Sequence, residues 1–229
     1  MKKILAVIPA RGGSKGLPRK NILPFHGKPL LAWSIDAAKA SANVTRCLVS
    51  SEDDEILSVA REYGAEPLRR PLEFSGDTAT SVEVVTHALG SLAAQGESFD
   101  AVLLLQPTSP LRTGSDIDAA CDIFWERGLP CCVSVCSLHQ SPFLSYTMND
   151  GILYQLMHGR VEPRRQLRPE VFAPNGGIYL VDTAWFMENA NFMASGATSA
   201  YEMPPERSID IDTRLDFAMA EFLMSYNNN

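Results

Sequence analysis

Apolar and polar positions along the chain follow two periods in turn, one typical of buried strands and the other of amphipathic helices. Residues 2–10 form a short apolar run broken by Pro9, as expected of a strand buried on both faces of a parallel sheet. Residues 27–41 open with Gly27 and Pro29 and then place apolar side chains at helical spacing. The beginning of the chain therefore predicts a strand, a loop and a helix.

This order repeats along the chain. The pattern predicts further strands at 44–51, 100–111 and 131–136, and further helices at 52–65, 80–96 and 114–128. Strands that alternate with helices favour an α/β fold with a doubly wound, mostly parallel sheet of the Rossmann-like type. Ligands of such sheets bind beyond the carboxyl ends of the strands. We therefore expect the loops at Pro9 and Pro107 to face one site.

Residues 138–170 depart from this rhythm, because short apolar pieces there are separated by turn residues. We predict an excursion from the sheet that serves as a dimerisation or substrate arm within a single domain of residues 1–229. The regular pattern then returns, with strands predicted at 175–182, 198–204 and 207–213 and a last helix at 214–226.

Composition narrows the classes of function. The chain has 229 residues, of which 45% are hydrophobic and 21% charged, enough for one sizeable α/β domain. No run approaches the roughly 18 apolar residues of a membrane span. The five cysteines form no CxxC pair, so neither a disulfide framework nor a zinc site is indicated. We expect a cytoplasmic protein with no membrane partner.

The net charge of -7 hides an uneven distribution. The first 30 residues carry seven Lys or Arg and no Asp or Glu, whereas the rest of the chain has 13 basic and 27 acidic residues. A general nucleic-acid binder spreads Lys and Arg over a whole face, so we expect no nucleic-acid partner. A local cationic pocket for a small polyanion fits this distribution better.

The loop at residues 9–21, PARGGSKGLPRKN, holds most of that local positive charge. It matches neither the Walker A pattern nor the GxGxxG fingerprint. Its glycines nevertheless let backbone N–H groups approach an anion, and Arg11, Lys15 and Lys20 can neutralise about three negative charges. We interpret it as a phosphate-binding loop. The alternative is a solvated basic loop, and Arg19 is expected to be merely exposed.

Residues 208–213, SIDIDT, place two carboxylates two positions apart. In a strand the two isoleucines would enter the core while Asp210 and Asp212 project together, with Cα atoms about 6.5 Å apart. That spacing suits a hard cation such as Mg²⁺, which bridges to phosphates. The alternative is that Asp212 or Thr213 caps the final helix.

A second basic cluster consists of Arg164, Arg165 and Arg168. Guanidinium groups bind carboxylates through two hydrogen bonds, so a substrate carboxylate, a partner subunit and plain solvation all stay open from the residues alone. Asn175 precedes two glycines, which permit close backbone approach to a ligand or simply form a turn.

Five segments of the chain occur in the order of a known family. They are IPARGGSKGLPRKN, RRPLEFSGDTATS, LLQPTSPLR, RRQLRPEVFAPNGGIYL and SIDIDT. Together they resemble the N-acylneuraminate cytidylyltransferases, the CMP-sialic acid synthetases and their bacterial relatives that act on legionaminic or pseudaminic acid. The resemblance implies a Rossmann-like nucleotidyltransferase that transfers CMP from CTP to the anomeric hydroxyl of a nine-carbon 2-keto sugar acid and releases pyrophosphate. It also implies a homodimer, and Mg²⁺ as the cofactor.

The resemblance implies roles for single residues as well. Arg11, Lys20 and Asp212 would be catalytic. Asp210 would join Asp212 in binding the metal. The nucleotide would contact Arg11, Gly13, Ser14, Lys15, Lys20, Asn21, Arg70, Asp77 and Ser81. The sugar acid would contact Gln106, Arg164, Arg165 and Asn175.

One departure from the family bears on the choice of sugar. Sialate-specific relatives resemble HHPLK where this chain has LHQSPFLSY, so Leu144 stands at or near the place of a lysine. An apolar residue there would suit a deoxy sugar with extra N-acyl groups, such as di-N-acetyllegionaminate. Pseudaminate and Kdo are the alternative sugars, and the RRQ and NGGIYL segments speak against Kdo.

Two readings from other classes of protein stay open. A non-catalytic nucleotide-binding module would keep the basic loop but would have no use for the paired aspartates. A nicotinamide-dependent oxidoreductase would share the doubly wound sheet, but the first loop lacks its GxGxxG pattern.

Overall fold

Alternating strands and helices build one central sheet in the computed structural model, which describes residues 2–14, 16–76, 79–138, 140, 142–157, 164 and 167–227. The strands are β1 (Ile4–Pro9), β2 (Pro24–Phe25), β3 (Lys28–Pro29), β4 (Val44–Ser51), β5 (Glu66–Arg69), β6 (Ala101–Leu104), β7 (Cys131–Ser137), β8 (Tyr146–Asn149), β9 (Ile152–Gln155), β10 (Phe172–Asp182) and β11 (Thr198–Glu202). The helices are α1 (Leu30–Ala40), α2 (Asp54–Glu62), α3 (Ser81–Ala93), α4 (Gly114–Arg127), α5 (Thr183–Asn189) and α6 (Arg214–Asn227). No described helix combines the length and the apolar character needed to cross a bilayer.

The sheet has the order β11-β7-β10-β6-β1-β4-β5. Neighbouring strands are parallel, except that β10 runs antiparallel to both β6 and β7. The prediction of a doubly wound, mostly parallel sheet is therefore confirmed.

Helices cover both faces of the sheet because its central strand is apolar on both sides. Ile4, Ala6 and Ile8 of β1 pack with α1, α2 and α4 on one face. Leu5 and Val7 pack with α3 and α5 on the other face. All five side chains are 1% exposed or less, and burial of a large aliphatic side chain contributes roughly 1.5–3 kcal/mol. This two-sided burial explains the continuous apolar run that the sequence shows.

The strand order reverses beside β1, which leaves a crevice at the carboxyl edge of the sheet. β4 and β5 extend the sheet on one side of β1, and β6 then pairs with its other side. The loops after β1 and β6 therefore leave neighbouring parallel strands at the same edge, where open α/β sheets bind ligands. Pro9 and Pro107 both line the pocket at this position, as predicted.

A smaller apolar cluster joins the first loop to the last helix. Phe25 is fully buried, and its ring meets that of Phe217 in α6 edge-on, with centroids 5.4 Å apart. Leu17 of the first loop and Ile211 belong to the same cluster. This packing brings the SIDIDT segment to the first loop from the opposite end of the chain.

The SIDIDT segment is not the strand that its alternation predicts. Residues 208–213 lie in neither a strand nor a helix, although Ile211 is buried and Asp212 is exposed as expected. The Ile211 N–H donates to the Thr108 carbonyl oxygen at 2.9 Å. The segment is therefore fixed by the apolar cluster and by this hydrogen bond, and not by pairing with a strand of the sheet.

Several short described elements have no clear signal in the sequence, β5 and α5 among them. β5 is a four-residue edge strand whose side chains are only partly buried or exposed, and α5 has only seven residues. Both are too short to show a hydrophobic period. Within the predicted excursion, β8 and β9 form an antiparallel hairpin in which Met148 faces Leu153.

Candidate active site

A pocket of about 400 Å³ opens at the crevice beside β1, a size usual for small-molecule sites. It is formed by four separate stretches of chain, which follow β1, follow β5, follow β6 and precede α6. Nine residues of the predicted site line it: Arg11, Ser14, Lys20, Asn21, Arg70, Ser81, Gln106, Asp210 and Asp212. The fold thus brings together side chains that are far apart in the sequence.

Two side chains fasten the carboxyl end of the first loop. Lys20 donates from Nζ to the Ile211 carbonyl oxygen at 2.6 Å and to Oδ1 of Asp212 at 3.0 Å. Asn21 is buried and donates from Nδ2 to the Arg11 carbonyl oxygen at 2.9 Å. The loop therefore folds back on itself and keeps Arg11 at the pocket.

Arg19 is not merely exposed, and the expectation from the sequence is wrong on this point. Its backbone has a φ of 58°, in the left-handed region, and its guanidinium pairs with Asp53 and Glu55 at the start of α2. Asp53 is also the N-cap of α2 and accepts hydrogen bonds from two backbone N–H groups there. The same carboxylate thus caps a helix and secures the first loop.

Glu52 is a pocket-building residue that no sequence motif marks. It directly follows β4, and its carboxylate accepts from the Gly12 N–H at 2.7 Å and from Arg70 Nη2 at 3.0 Å. Burial alone would raise the pKa of Glu52, but the hydrogen bonds from Gly12 and Arg70 and the Arg70 charge outweigh it and lower the pKa. Its position just after a predicted strand, at the carboxyl edge of the sheet, is the one signal that could have identified it.

Asp210 and Asp212 both line the pocket. Desolvation raises the pKa of Asp210, and the charge of Asp212 raises it further, against a lowering effect of a hydrogen bond with Thr108. A carboxylate whose ionised form is disfavoured beside a second carboxylate fits a divalent cation, whose charge would relieve the repulsion. The described residues hold no cluster of three or more His, Cys, Asp or Glu able to bind a metal, so Asp210 and Asp212 are the residues that could hold such an ion at the pocket.

The helix cap considered as an alternative is present at Thr213. Its Oγ1 accepts from the Asp216 N–H at 3.2 Å, and Oδ2 of Asp216 accepts from the Thr213 N–H at 2.7 Å, which is a capping box. Asp212 joins this cap through its backbone N–H, which leaves its carboxylate at the pocket. The cap and the acidic pair therefore share one short segment without competing.

Gly176 permits a close approach of backbone and side chains at the pocket. Its φ is +78°, and a Cβ at this position would lie 2.8 Å from Oε1 of Gln106 and 3.5 Å from Oδ2 of Asp210. The backbone conformation favours glycine, and a methyl group there would displace the Gln106 side chain. Gly176 therefore lies close to two pocket-lining side chains, and a close approach to a ligand stays a prediction.

Three predicted residues with described positions, Gly13, Arg164 and Asn175, do not line the pocket. Asn175 is buried, accepts from Ser134 Oγ at 2.6 Å and donates to Ser208 Oγ at 2.9 Å, so its amide is used within the fold. Gly13 and Arg164 are exposed and lie outside the pocket lining. Outside the described residues lie Lys15, Asp77 and Arg165. The roles assigned to these six residues, like those of the nine that line the pocket, stay predictions.

Comparison with known proteins relates the chain to enzymes. A family model described as cytidylyltransferase matches residues 5–128. The chain is 36% identical over 227 residues to CMP-N,N'-diacetyllegionaminic acid synthase of Legionella pneumophila, and the match covers 98% of this chain and 97% of that protein. It is 32% identical over 229 residues to pseudaminic acid cytidylyltransferase of Campylobacter jejuni, with 99% and 98% covered.

A third relative is longer. N-acylneuraminate cytidylyltransferase of Escherichia coli is 34% identical over 227 residues, which are 99% of this chain and 53% of that protein. The chain therefore spans about half the length of this relative.

Solved structures share the fold at lower identity. CMP:2-keto-3-deoxy-manno-octonic acid synthetase complexed with CTP superposes with a TM-score of 0.71 at 18% identity, covering 99% of this chain and 100% of that one. A 4-diphosphocytidyl-2C-methyl-D-erythritol synthase gives 0.70 at 12% identity, with 98% and 99% covered. At such identities the likeness establishes the fold alone. The family model and the full-length relatives establish the family. The chain belongs to the cytidylyltransferase family, in the group of the N-acylneuraminate, legionaminic acid and pseudaminic acid cytidylyltransferases.

Proposed function

We propose that this protein transfers CMP from CTP to the anomeric hydroxyl of a nine-carbon 2-keto sugar acid and releases pyrophosphate. The observation that carries the proposal is the convergence of Arg11, Lys20, Asp210 and Asp212 in one pocket at the strand-order reversal. A triphosphate needs cations for its own charge and oxygen ligands for its metal, and this pocket offers both. The reactions named for the relatives point in the same direction.

In the proposed mechanism the sugar hydroxyl attacks the α-phosphorus in line. The new O–P bond forms as the bond to pyrophosphate breaks, and a carboxylate of the pocket would accept the hydroxyl proton. Arg11 and Lys20 would neutralise charge on the phosphate oxygens. Because such transfers depend mainly on positioning and electrostatics, these cations would supply much of the acceleration. Asp210 and Asp212 would hold Mg²⁺, which would supply further charge neutralisation at the phosphates.

We assign the cytidine to Asn21, Arg70 and Ser81, which line the pocket. Their amide, guanidinium and hydroxyl groups supply the donors and acceptors that a cytosine edge and a ribose require. Gln106, which lies against Gly176, is assigned to the sugar acid.

We propose a di-N-acetyllegionaminate-type acid as the sugar. Leu144 lies in a short 3-10 helix at Pro142–Leu144, is exposed, and does not line the pocket formed by this chain alone. An apolar side chain there favours an N-acyl group over a hydroxyl. The 36% identity to the Legionella enzyme, whose name contains this sugar, supports the choice.

We further propose that the protein acts as a cytoplasmic homodimer. Both faces of the hairpin formed by β8 and β9 carry exposed apolar side chains, among them Met148 and Leu153 on one face and Ile152 and Tyr154 on the other. A two-stranded ribbon cannot bury such side chains by itself, and a second copy of the chain would cover them. All five cysteines are free thiols, which supports a reducing compartment.

The test is pyrophosphate release with CTP and Mg²⁺ in parallel reactions that contain di-N-acetyllegionaminate, N-acetylneuraminate, pseudaminate or Kdo. We expect release with the first acid and loss of release in EDTA. Equal turnover of N-acetylneuraminate would contradict the assignment of the sugar. A folded protein that binds CTP but releases no pyrophosphate with any acid would instead indicate a nucleotide-binding module.

A further inference from the structure

We propose that Glu52 is a positioning residue that sets the affinity of the pocket for CTP by holding together the two loops that enclose the nucleotide. The inference rests on the proposed function, because it assigns the nucleotide to this pocket. It adds a residue that lines no part of the pocket itself. Glu52 would act through Gly12 and Arg70 without contact to the substrate.

The geometry of the Glu52 carboxylate carries this inference. Oε1 accepts from the Gly12 N–H at 2.7 Å, in the loop after β1. Oε2 accepts from Arg70 Nη2 at 3.0 Å and from Arg70 Nε at 3.3 Å, at the start of the loop after β5. Each oxygen therefore serves a different loop, and a single side chain sets the distance between them.

Arg70 depends on Glu52 for its charge balance. The Arg70 side chain is 3% exposed and that of Glu52 is 13% exposed. Removal of one partner from such a sheltered pair leaves the other charge poorly compensated. Among the described residues, Arg70 also donates from Nε to the Ser75 hydroxyl at 3.2 Å, which carries no charge. An Arg70 without Glu52 would shift toward solvent or toward another anion and would carry its loop with it.

Asp53 packs closely against Gly12 on another side. A Cβ at Gly12 would lie 2.6 Å from Oδ2 of Asp53, and Asp53 itself pairs with Arg19. Consecutive acids at the end of β4 therefore fasten the first loop, Glu52 near its beginning and Asp53 near its end. Loops preorganised in this way lose less entropy on ligand binding, which increases affinity.

A neighbouring ion pair provides a matched control. Asp54 pairs with Arg69. This ion pair lies next to the pair of Glu52 and Arg70 in both stretches of chain. Both side chains of this pair are more than half exposed, and neither lines the pocket. Exposed pairs contribute little, so Asp54→Asn removes an acid from the same turn without the proposed effect.

The experiment compares Glu52→Gln, Glu52→Ala and Asp54→Asn with the wild type by CTP titration of pyrophosphate release and by equilibrium binding of CTP. We expect the KM for CTP to rise about tenfold in Glu52→Gln, as expected for the loss of one charged hydrogen bond, and more in Glu52→Ala. The kcat at saturating CTP and the KM for the sugar acid should stay within about twofold of the wild type, a change of less than about 0.5 kcal/mol. Asp54→Asn should match the wild type throughout.

A double variant tests whether Glu52 acts through Arg70. In an Arg70→Gln background, Glu52→Gln should raise the KM for CTP by clearly less than it does alone, because the shared pair is already broken. Full additivity would overturn the coupling between these two residues.

The other outcomes are equally decisive. Wild-type protein without CTP-dependent turnover would overturn the proposed function and this inference with it. An active wild type whose Glu52→Gln variant keeps its KM for CTP, or loses only kcat, would overturn this inference alone. If neither Glu52 variant folds, Glu52 serves stability and the inference is wrong.

Discussion

The Lys20 ammonium lies 3.0 Å from Oδ1 of Asp212, and the two residues are 192 positions apart along the chain. The same ammonium donates to the Ile211 carbonyl oxygen at 2.6 Å. The first loop and the acidic pair are thus joined directly. The Lys20 charge favours the ionised form of Asp210, against the effect of the Asp212 charge, and under the proposed function this ammonium would lie near the bound triphosphate.

Substitution of Asp212 should abolish turnover without unfolding the protein. We expect Asp212→Asn to lower kcat by about 100-fold or more, the range for loss of a principal electrostatic group in a site. Pyrophosphate release measures the rate, and far-UV circular dichroism checks the fold. Asp36→Asn is the matched control, because Asp36 pairs with Lys28 outside the pocket. Equal rates in the two variants would remove Asp212 from the mechanism.

Gly176→Ala should affect activity and stability together. The positive φ costs about 1–2 kcal/mol for any residue with a Cβ, and the new methyl group would press on the Gln106 amide. We expect at least a tenfold loss in kcat/KM for the sugar acid, equivalent to about 1.4 kcal/mol. Gly96→Ala is the control, since Gly96 has a φ of +80° and open space around it. Gly96→Ala should lower stability without lowering activity. A similar loss of activity in Gly176→Ala and Gly96→Ala would refute the role of the contact between Gly176 and Gln106.

Asp116→Ala should destabilise the fold. Asp116 is 1% exposed and accepts from Tyr201 Oη at 2.7 Å and from Arg207 Nη2 at 2.6 Å, besides capping α4 with Thr113. Loss of a buried carboxylate with these partners should cost about 2–3 kcal/mol in urea unfolding at fixed protein concentration. Glu83→Ala is the control, because Glu83 has the same capping-box position in the exposed start of α3. It should cost clearly less, and equal losses would contradict the importance of the buried network.

The stabilisation by Asp116 should depend on pH. Burial would raise its pKa, but hydrogen bonds from Arg207, Thr113 and Tyr201 outweigh this and lower the pKa below the ordinary 3.8. A carboxyl with a lowered pKa in the folded state stabilises the protein above its unfolded pKa and loses this effect as pH falls through the folded pKa. The difference in unfolding free energy between wild type and Asp116→Asn should be constant from about pH 5 to 8 and narrow below 3.8. A difference in unfolding free energy that increases in acid would show that the pKa of Asp116 is not lowered in the folded state.

Charge on the hairpin should separate the proposed dimer. Met148 and Leu153 face each other across β8 and β9 and are 72% and 61% exposed. Glutamate at both positions would place charges in an apolar interface, so light scattering should report half the wild-type mass. Leu215→Glu on α6, where Leu215 is 68% exposed, should leave the mass unchanged. A wild-type monomer, or dissociation by the α6 variant alone, would contradict the proposed interface.

Local sequence was sufficient for the elements with strong patterns. The continuous apolar run of β1 predicted burial on two faces, and the helical spacing placed the starts of α3 and α4 within one residue of those observed. The SIDIDT alternation predicted correctly that Ile211 is buried and Asp212 exposed, but wrongly that the segment is a strand. Alternation of apolar and polar residues indicates which side chains are buried. It does not indicate whether a neighbouring strand is available for backbone hydrogen bonds.

The sequence by itself determined the fold class, the basic first loop, the acidic pair and, through five ordered segments, the family. Only the tertiary structure decided that Lys20 meets Asp212, that Arg19 is held by Asp53, and that Glu52 joins two loops of the pocket. These contacts form between residues that are distant along the chain, at the edge where parallel strands end. Periodicity and motif spacing describe neighbours in sequence, whereas an ion pair depends on which strands lie side by side, and the packing of the whole sheet sets that order.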